Sequence, residues 1–114
     1  MDPRHAFGRE AERRAELFYQ QRGYSTLARN FRAKAGEIDL VLEKNGLLLF
    51  VEVKGRGGEW EQGAWAPSWR GKGRRLRAAI GVYLAAHPQI DYREIRIEIV
   101  FVTPTRVEAR YEGI

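Results

Sequence analysis

The stretch GEIDLVLEKNGLLLFVEVK, residues 36–54, constrains the fold more than any other part of the chain. Two runs rich in Ile, Leu, Val and Phe flank Asn45-Gly46, a dipeptide suited to a two-residue turn in which both residues take positive φ. A β-hairpin is therefore expected, with strands at 37–43 and 47–54. Centring the turn on Asn45-Gly46 sets Glu43 opposite Leu48, Val41 opposite Phe50, Asp39 opposite Glu52 and Glu37 opposite Lys54. Opposed residues share a face, and successive residues alternate between faces. On that register Glu37, Asp39, Glu52 and Lys54 project from one side, away from the turn. Ile38, Leu40, Leu42, Leu47, Leu49, Val51 and Val53 form a continuous core on the other.

Opposed Cβ atoms lie about 4.5–5.5 Å apart, so Asp39 and Glu52 would be like charges in near contact. Protonation of one carboxylate or a cation between them relieves that repulsion; a hard divalent ion suits the second case, and Mg2+ is commonly held by one or two carboxylates plus substrate phosphate. Lys54 would lie roughly 7 Å along the strand from Glu52, where an ammonium steadies phosphate charge or orients a water. These are the parts of metal-assisted phosphodiester hydrolysis. The same charges also suit plainer duties: blocking edge-to-edge strand pairing, or forming cross-strand ion pairs. A register slip of one residue would disperse them.

Around the hairpin, residues 6 to about 22 have helical spacing, with Ala11, Ala15, Phe18 and Tyr19 on one stripe and Gly23 as a stop. YSTLARNF (24–31) reads as a strand. A glycine-rich loop, 55–73, carries Trp60, Trp65 and Trp69; their plain roles are a small local core or a dimer contact, with base stacking the alternative. A second helix is expected over 72–87, with Leu76, Ala79, Ile80, Tyr83 and Leu84 as its apolar stripe and Pro88 as its end. EIRIEIVFV (94–102) alternates like a half-buried strand, and RVEARYE (106–112) reads as a last one. The order α-β-β-β-α-β-β over 114 residues makes one α/β domain, 1–114.

There is no cysteine, hence no disulfide framework or thiolate metal site. No apolar run approaches the roughly 20 residues of a membrane span, and the N-terminal segment mixes acids with arginines and lacks the apolar core of a secretory signal. A cytoplasmic protein with no membrane partner is expected. The net charge of +5 favours a polyanionic partner, and the cations cluster in ARNFRAK (28–34) and RGKGRRLR (70–77). The second cluster is expected to open a helix, where cations oppose the helix dipole and a phosphate-bearing ligand would account for them. Lys72, Arg74, Arg75 and Arg77, with Arg56 after the hairpin, thus read as phosphate contacts or as a solvated face. His5 and His87 have no partner at metal or triad spacing and read as structural.

GEIDLV (36–41) and FVEVK (50–54), with GREAERRAELFYQQRGYSTLARNFRAKAGEIDL before and KGRRLRAAIGVYLAAHP after, resemble the bacterial YraN-like family. That family resembles a branch of the restriction-endonuclease-like superfamily, whose PD-(D/E)xK motif matches Asp39, Glu52 and Lys54; archaeal Holliday-junction resolvases are similar. The resemblance implies a central mixed β-sheet flanked by helices and an endonuclease dependent on Mg2+ or Mn2+. Its substrate would be nucleic acid, DNA before RNA, with branched DNA one candidate. Asp39 and Glu52 would hold the metal and Lys54 would assist the attacking water. A first-helix glutamate joins them in this superfamily: Gly8 and Glu12 match Gly-x-x-Gly-Glu, with Ala11 in place of the second glycine, while Glu10 and Glu16 compete. Ile38 replaces the motif's proline. Glu37 takes an accessory role, and a homodimer is what paired cuts at a four-way junction would require. Two alternatives remain open: a non-catalytic nucleic-acid-binding module, and an interaction subunit docking through its tryptophan loop.

Overall fold

The computed structural model describes the backbone of residues 3–55, 65–103 and 107–112, and the side chains of 9–55, 73–103 and 107. Helix α1 (Pro3–Gln20) leads to strands β1 (Ser25–Ala33), β2 (Gly36–Lys44) and β3 (Leu47–Gly55). Helix α2 (Trp65–Ala86) follows, then β4 (Glu94–Val102) and β5 (Val107–Glu112). The strands lie in sequence order in one mixed sheet, with β3 and β4 parallel and every other neighbouring pair antiparallel. The parallel pair requires a crossover, which α2 lies within. Asn45 and Gly46 take φ of 52° and 85°, and the ladder from Leu40↔Val51 to Lys44↔Leu47 has the expected register. Among the described residues no helix is long and apolar enough to cross a membrane.

Both faces of the sheet are covered, which corrects the expectation of one apolar and one charged face. Val41, Leu48, Phe50, Ile99 and Phe101 pack with Leu76, Ala79, Ile80 and Tyr83 of α2. Leu40, Leu42, Leu49, Val51, Val100 and Val102 pack with Ala11, Ala15 and Tyr19 of α1. A strand between two helix layers reads as a continuous apolar run. For the same reason β4 is not half-buried along its length: Glu94–Arg96 is exposed and Glu98–Val102 is buried throughout. Tyr19 donates its hydroxyl hydrogen to Glu98 Oε1 at 2.5 Å in the α1-side core. This satisfies the one acid buried on β4 and ties the end of α1 to the sheet.

Helix α2 begins at Trp65, well before the expected start at 72. Pro67 falls in its first turn, where a missing N–H breaks no helical bond. The 70–77 cations therefore lie inside the helix rather than at its N-terminus, and the dipole argument for a phosphate no longer applies to them. Trp65 and Trp69 belong to α2, while Trp60 lies outside the described residues.

The β1–β2 turn is pressed against α2. A Cβ on Gly36 would stand 2.4 Å from the Arg75 carbonyl oxygen, a distance that backbone cannot yield. Gly81, inside α2, has nothing within 4 Å of the corresponding position. Gly36→Ala should therefore destabilise the protein by about 1–3 kcal/mol through overpacking. Gly81→Ala should stabilise it by about 0.5–1 kcal/mol by removing backbone freedom from the unfolded chain. Urea unfolding midpoints of the two variants should move in opposite directions.

Candidate functional site

Strands β1 and β2 change face together at Asn30 and Asp39. Asn30 has a left-handed φ of 53°, uncommon for a non-glycine residue but tolerated by asparagine. Before it Ala28, and after it Phe31, both pack toward α2, although strict alternation would put residues three apart on opposite faces. On β2, Ile38 and Val41 both face α2, with Leu40 between them facing α1. The pairing keeps one offset across this point, Arg29↔Leu40 on one side and Phe31↔Ile38 on the other. Both strands thus twist at the same rung, and Asp39 occupies the seam where the faces exchange.

This overturns the expected geometry of four charged side chains on one face. The recorded β2–β3 ladder reaches Leu40↔Val51, and beyond it Asp39 Oδ2 accepts the Val53 N–H at 2.7 Å. The carboxylate stands against the peptide that joins Glu52 to Val53, in the position a regular ladder gives to a backbone carbonyl. It shares a groove of about 300 Å3 with Arg9, Glu12, Arg13 and Glu16 of α1, and with Arg29, Asn30 and Leu40. Glu52 faces the α2 side, in a groove of about 570 Å3 lined by residues 32–37, Arg75 and Leu76. Lys54 Nζ lies 3.9 Å from Glu52 Oε2, because residues two apart on a strand share a face and their side chains here lean together. Glu37 is paired across the ladder with Arg32, and their charged atoms are 3.6 Å apart.

Helix α1 supplies the rest of the α1-side groove through a second stripe. Ala11, Ala15 and Tyr19 are fully buried on the sheet. Arg9, Glu12, Arg13 and Glu16 recur at intervals of three and four along the groove. The small side chain of Ala11 lets the helix approach closely, so the next residue, Glu12, is half-buried. Its carboxyl pKa is pushed above the usual 4.5, first by burial and then by the negative charge of Asp39, with Glu37 adding to the rise; a hydrogen bond with Asn30 and the charge of Arg32 oppose it. One turn on, Glu16 receives Arg29 Nη2 at 2.6 Å, Arg29 Nε at 2.9 Å and the Thr26 hydroxyl at 2.6 Å. Arg29 holds the Glu16 carboxyl below its usual range despite burial. Of the competing first-helix acids, Glu16 clips α1 to β1, Glu10 is engaged with Arg13 and Arg14, and Glu12 stands beside Asp39.

Asn30 was not singled out from the sequence, although it joins Glu12 to the kink; its signal was an asparagine inside an otherwise regular strand. Arg74, Arg75 and Arg77 are exposed on α2. The side chain of Lys72, and Arg56 altogether, lie outside the described residues. Among the described residues no three of His, Asp or Glu are grouped to hold a metal ion by themselves.

The class defined by these features is an α/β domain with a carboxylate pair at a twist in its sheet. A family model described as "Uncharacterised protein family UPF0102" matches residues 11–102, and the chain belongs to that family, in keeping with the YraN-like resemblance. A UPF0102 protein of Gloeobacter violaceus is 41% identical over 103 residues, covering 90% of this chain and 82% of that protein. One from Halorhodospira halophila is 46% identical over 87 residues, 76% of this chain and 71% of that protein. A third, from Ralstonia nicotianae, is 43% identical over 107 residues, 90% of this chain and 82% of its own length.

The two α1 glutamates should respond oppositely to neutralisation. Glu12 has a raised pKa, so its ionisation costs stability as pH rises from 4.5 through the folded value. In chelator-treated buffer, Glu12→Gln should melt higher than the native chain at neutral pH, and the gain should vanish well below 4.5. Glu16 has a lowered pKa, so the stability it supplies is present above 4.5 and lost as pH falls through the folded value. Glu16→Gln should melt lower at neutral pH, with the deficit closing in acid. Thermal melts across pH check both.

Proposed function

We propose that this chain is a restriction-endonuclease-like domain that hydrolyses phosphodiester bonds in nucleic acid with Mg2+ or Mn2+. The observation that carries the reading is the Asp39 carboxylate fixed against the Glu52–Val53 peptide and beside Glu12. The mixed sheet with a helix on each face is consistent with what the superfamily resemblance implies.

The donor set suits a hard cation. Burial first, and then the charge of Asp39, raises the pKa of Glu12, and a divalent ion between oxygen ligands would relieve that repulsion. Two carboxylates leave coordination positions for water and substrate phosphate, as Mg2+ commonly requires. Glu12 and Asp39 would hold the ion, while Glu52 lies in the α2-side groove, paired with Lys54. A bound ion supplies Lewis-acid polarisation of the phosphate and a more acidic water.

The chain's own residues do the remainder. The Val53 N–H fixes the orientation of the Asp39 carboxylate, and the Asn30 side chain does the same for Glu12. Lys54, one residue beyond the amide that Asp39 holds and with its ammonium 3.9 Å from Glu52, would stabilise negative charge developing on the phosphate or orient the attacking water. Glu37 and Arg32 lie close enough to shift Glu12, which gives Glu37 an accessory electrostatic role.

The native chain should bind Mn2+ by calorimetry and cut at least one of a panel of branched, flapped and single-stranded DNAs. Asp39→Asn should lose both. Lys54→Ala should keep Mn2+ binding while its cleavage rate falls by roughly 10²–10³-fold. Salt-dependent DNA binding without cleavage, unchanged by Asp39→Asn, would instead favour the binding-module alternative.

A further inference from the structure

The α2-side groove brings together two cationic runs that are far apart in the sequence. Arg32 and Lys34, from the 28–34 run, lie on its β1–β2 side, and Arg75, from the 70–77 run, lies on its helix side. The close approach of Gly36 to the Arg75 carbonyl sets the distance between these lips. Arg32, Lys34, Arg74 and Arg75 are exposed. Arg74 and Arg75 stand inside α2, where the helix dipole gives no account of them.

Charge is layered across the groove's depth. Glu52 sits low, with its side chain 13% exposed, and is paired with Lys54. The Arg32 side chain is 76% exposed at the lip. Glu37, 58% exposed and 3.6 Å from it, offsets one of the rim's three cations, Arg32, Lys34 and Arg75, which leaves the rim net positive. A polyanion would be attracted at the rim and kept off the floor, where only the segment bridging to the seam would meet Glu52. The groove's volume, about 570 Å3, matches small-ligand clefts and suits a sugar-phosphate unit rather than a whole duplex.

We infer that the β1–β2 turn and α2 form a two-lipped clamp on a phosphodiester backbone, with Arg32 and Lys34 on one lip and Arg75 on the other. This rests on the nucleic-acid reading above and adds the place where the backbone is gripped. It brings the turn into the interface, whereas the basic run of α2 alone would leave it out. Contacts of this kind set position without reading base sequence. Because Glu52 lies in the same groove and its following peptide bonds Asp39, a strand held at the lips runs toward the seam.

The test measures binding of a fluorescent single-stranded DNA and of its duplex as a function of salt, with EDTA present so that cleavage plays no part. The rim double variant Arg32→Gln/Lys34→Gln is compared with Arg22→Gln/Arg96→Gln, which removes the same charge near the Asn45-Gly46 end of the sheet. The clamp predicts that the rim variant's slope of log K against log salt becomes shallower by about 1.8 if the duplex is gripped, or about 1.4 for the single strand. The distal variant should keep the native slope. Equal losses in both variants, or an unchanged slope in the rim variant, would overturn the clamp while leaving nucleic-acid binding intact. A native chain that bound neither probe at low salt would overturn the clamp and the nucleic-acid reading together.

Discussion

The hydrogen bond from the Val53 N–H to Asp39 Oδ2 is the contact on which the candidate site depends. It lies beyond the recorded Leu40↔Val51 end of the hairpin ladder, so a side chain takes over an obligation usually met by backbone. A partly buried amide is best met by an acceptor, and here the acceptor is an acid whose direction is thereby fixed. Asn30 makes this arrangement accessible. Its left-handed φ turns β1 at the rung where β2 turns, so neither strand loses its pairing offset.

Helix α1 brings the other half of the site to that seam. Its alanine stripe gives close contact with the sheet, and the Tyr19–Glu98 hydrogen bond fastens one end of the helix. The Glu16–Arg29–Thr26 clip fastens its side to β1. Glu12 lies one turn N-terminal to Glu16, yet its environment is opposite in character. Glu16 is paired with a guanidinium and supports the fold. Glu12 is placed beside another carboxylate, an arrangement unfavourable to the folded chain alone and better suited to a cation.

Much of the scaffold was legible in the sequence because its signals were local. Asn45-Gly46 marked the turn and the register on either side of it, the alanine and tyrosine spacing marked α1, and Pro88 marked the end of α2. The face assignment was not legible, since it assumed unbroken alternation through Asp39, and the break arises from a twist shared with Asn30 on a neighbouring strand. Ile38, placed with Leu40 and Leu42 on one face, packs on the α2 side for the same reason. The early start of α2 was hidden by glycines and by Pro67, which reads as a breaker unless the first turn is already known. The grouping of Asp39, Glu52 and Lys54 near one another was visible, but their division between two grooves depends on the third dimension.

The central claim is that Glu12 and Asp39 form the cation-binding half of a site at this seam. Titrating the 15N-labelled protein with substoichiometric Mn2+ and following amide line broadening tests it most directly, because paramagnetic broadening is confined to nuclei near the ion. The account predicts that the Glu12, Asp39 and Val53 amides broaden first, and that Asp39→Asn removes the effect. Broadening centred on another cluster of acids, or broadening at these three amides that persists in Asp39→Asn, would contradict it.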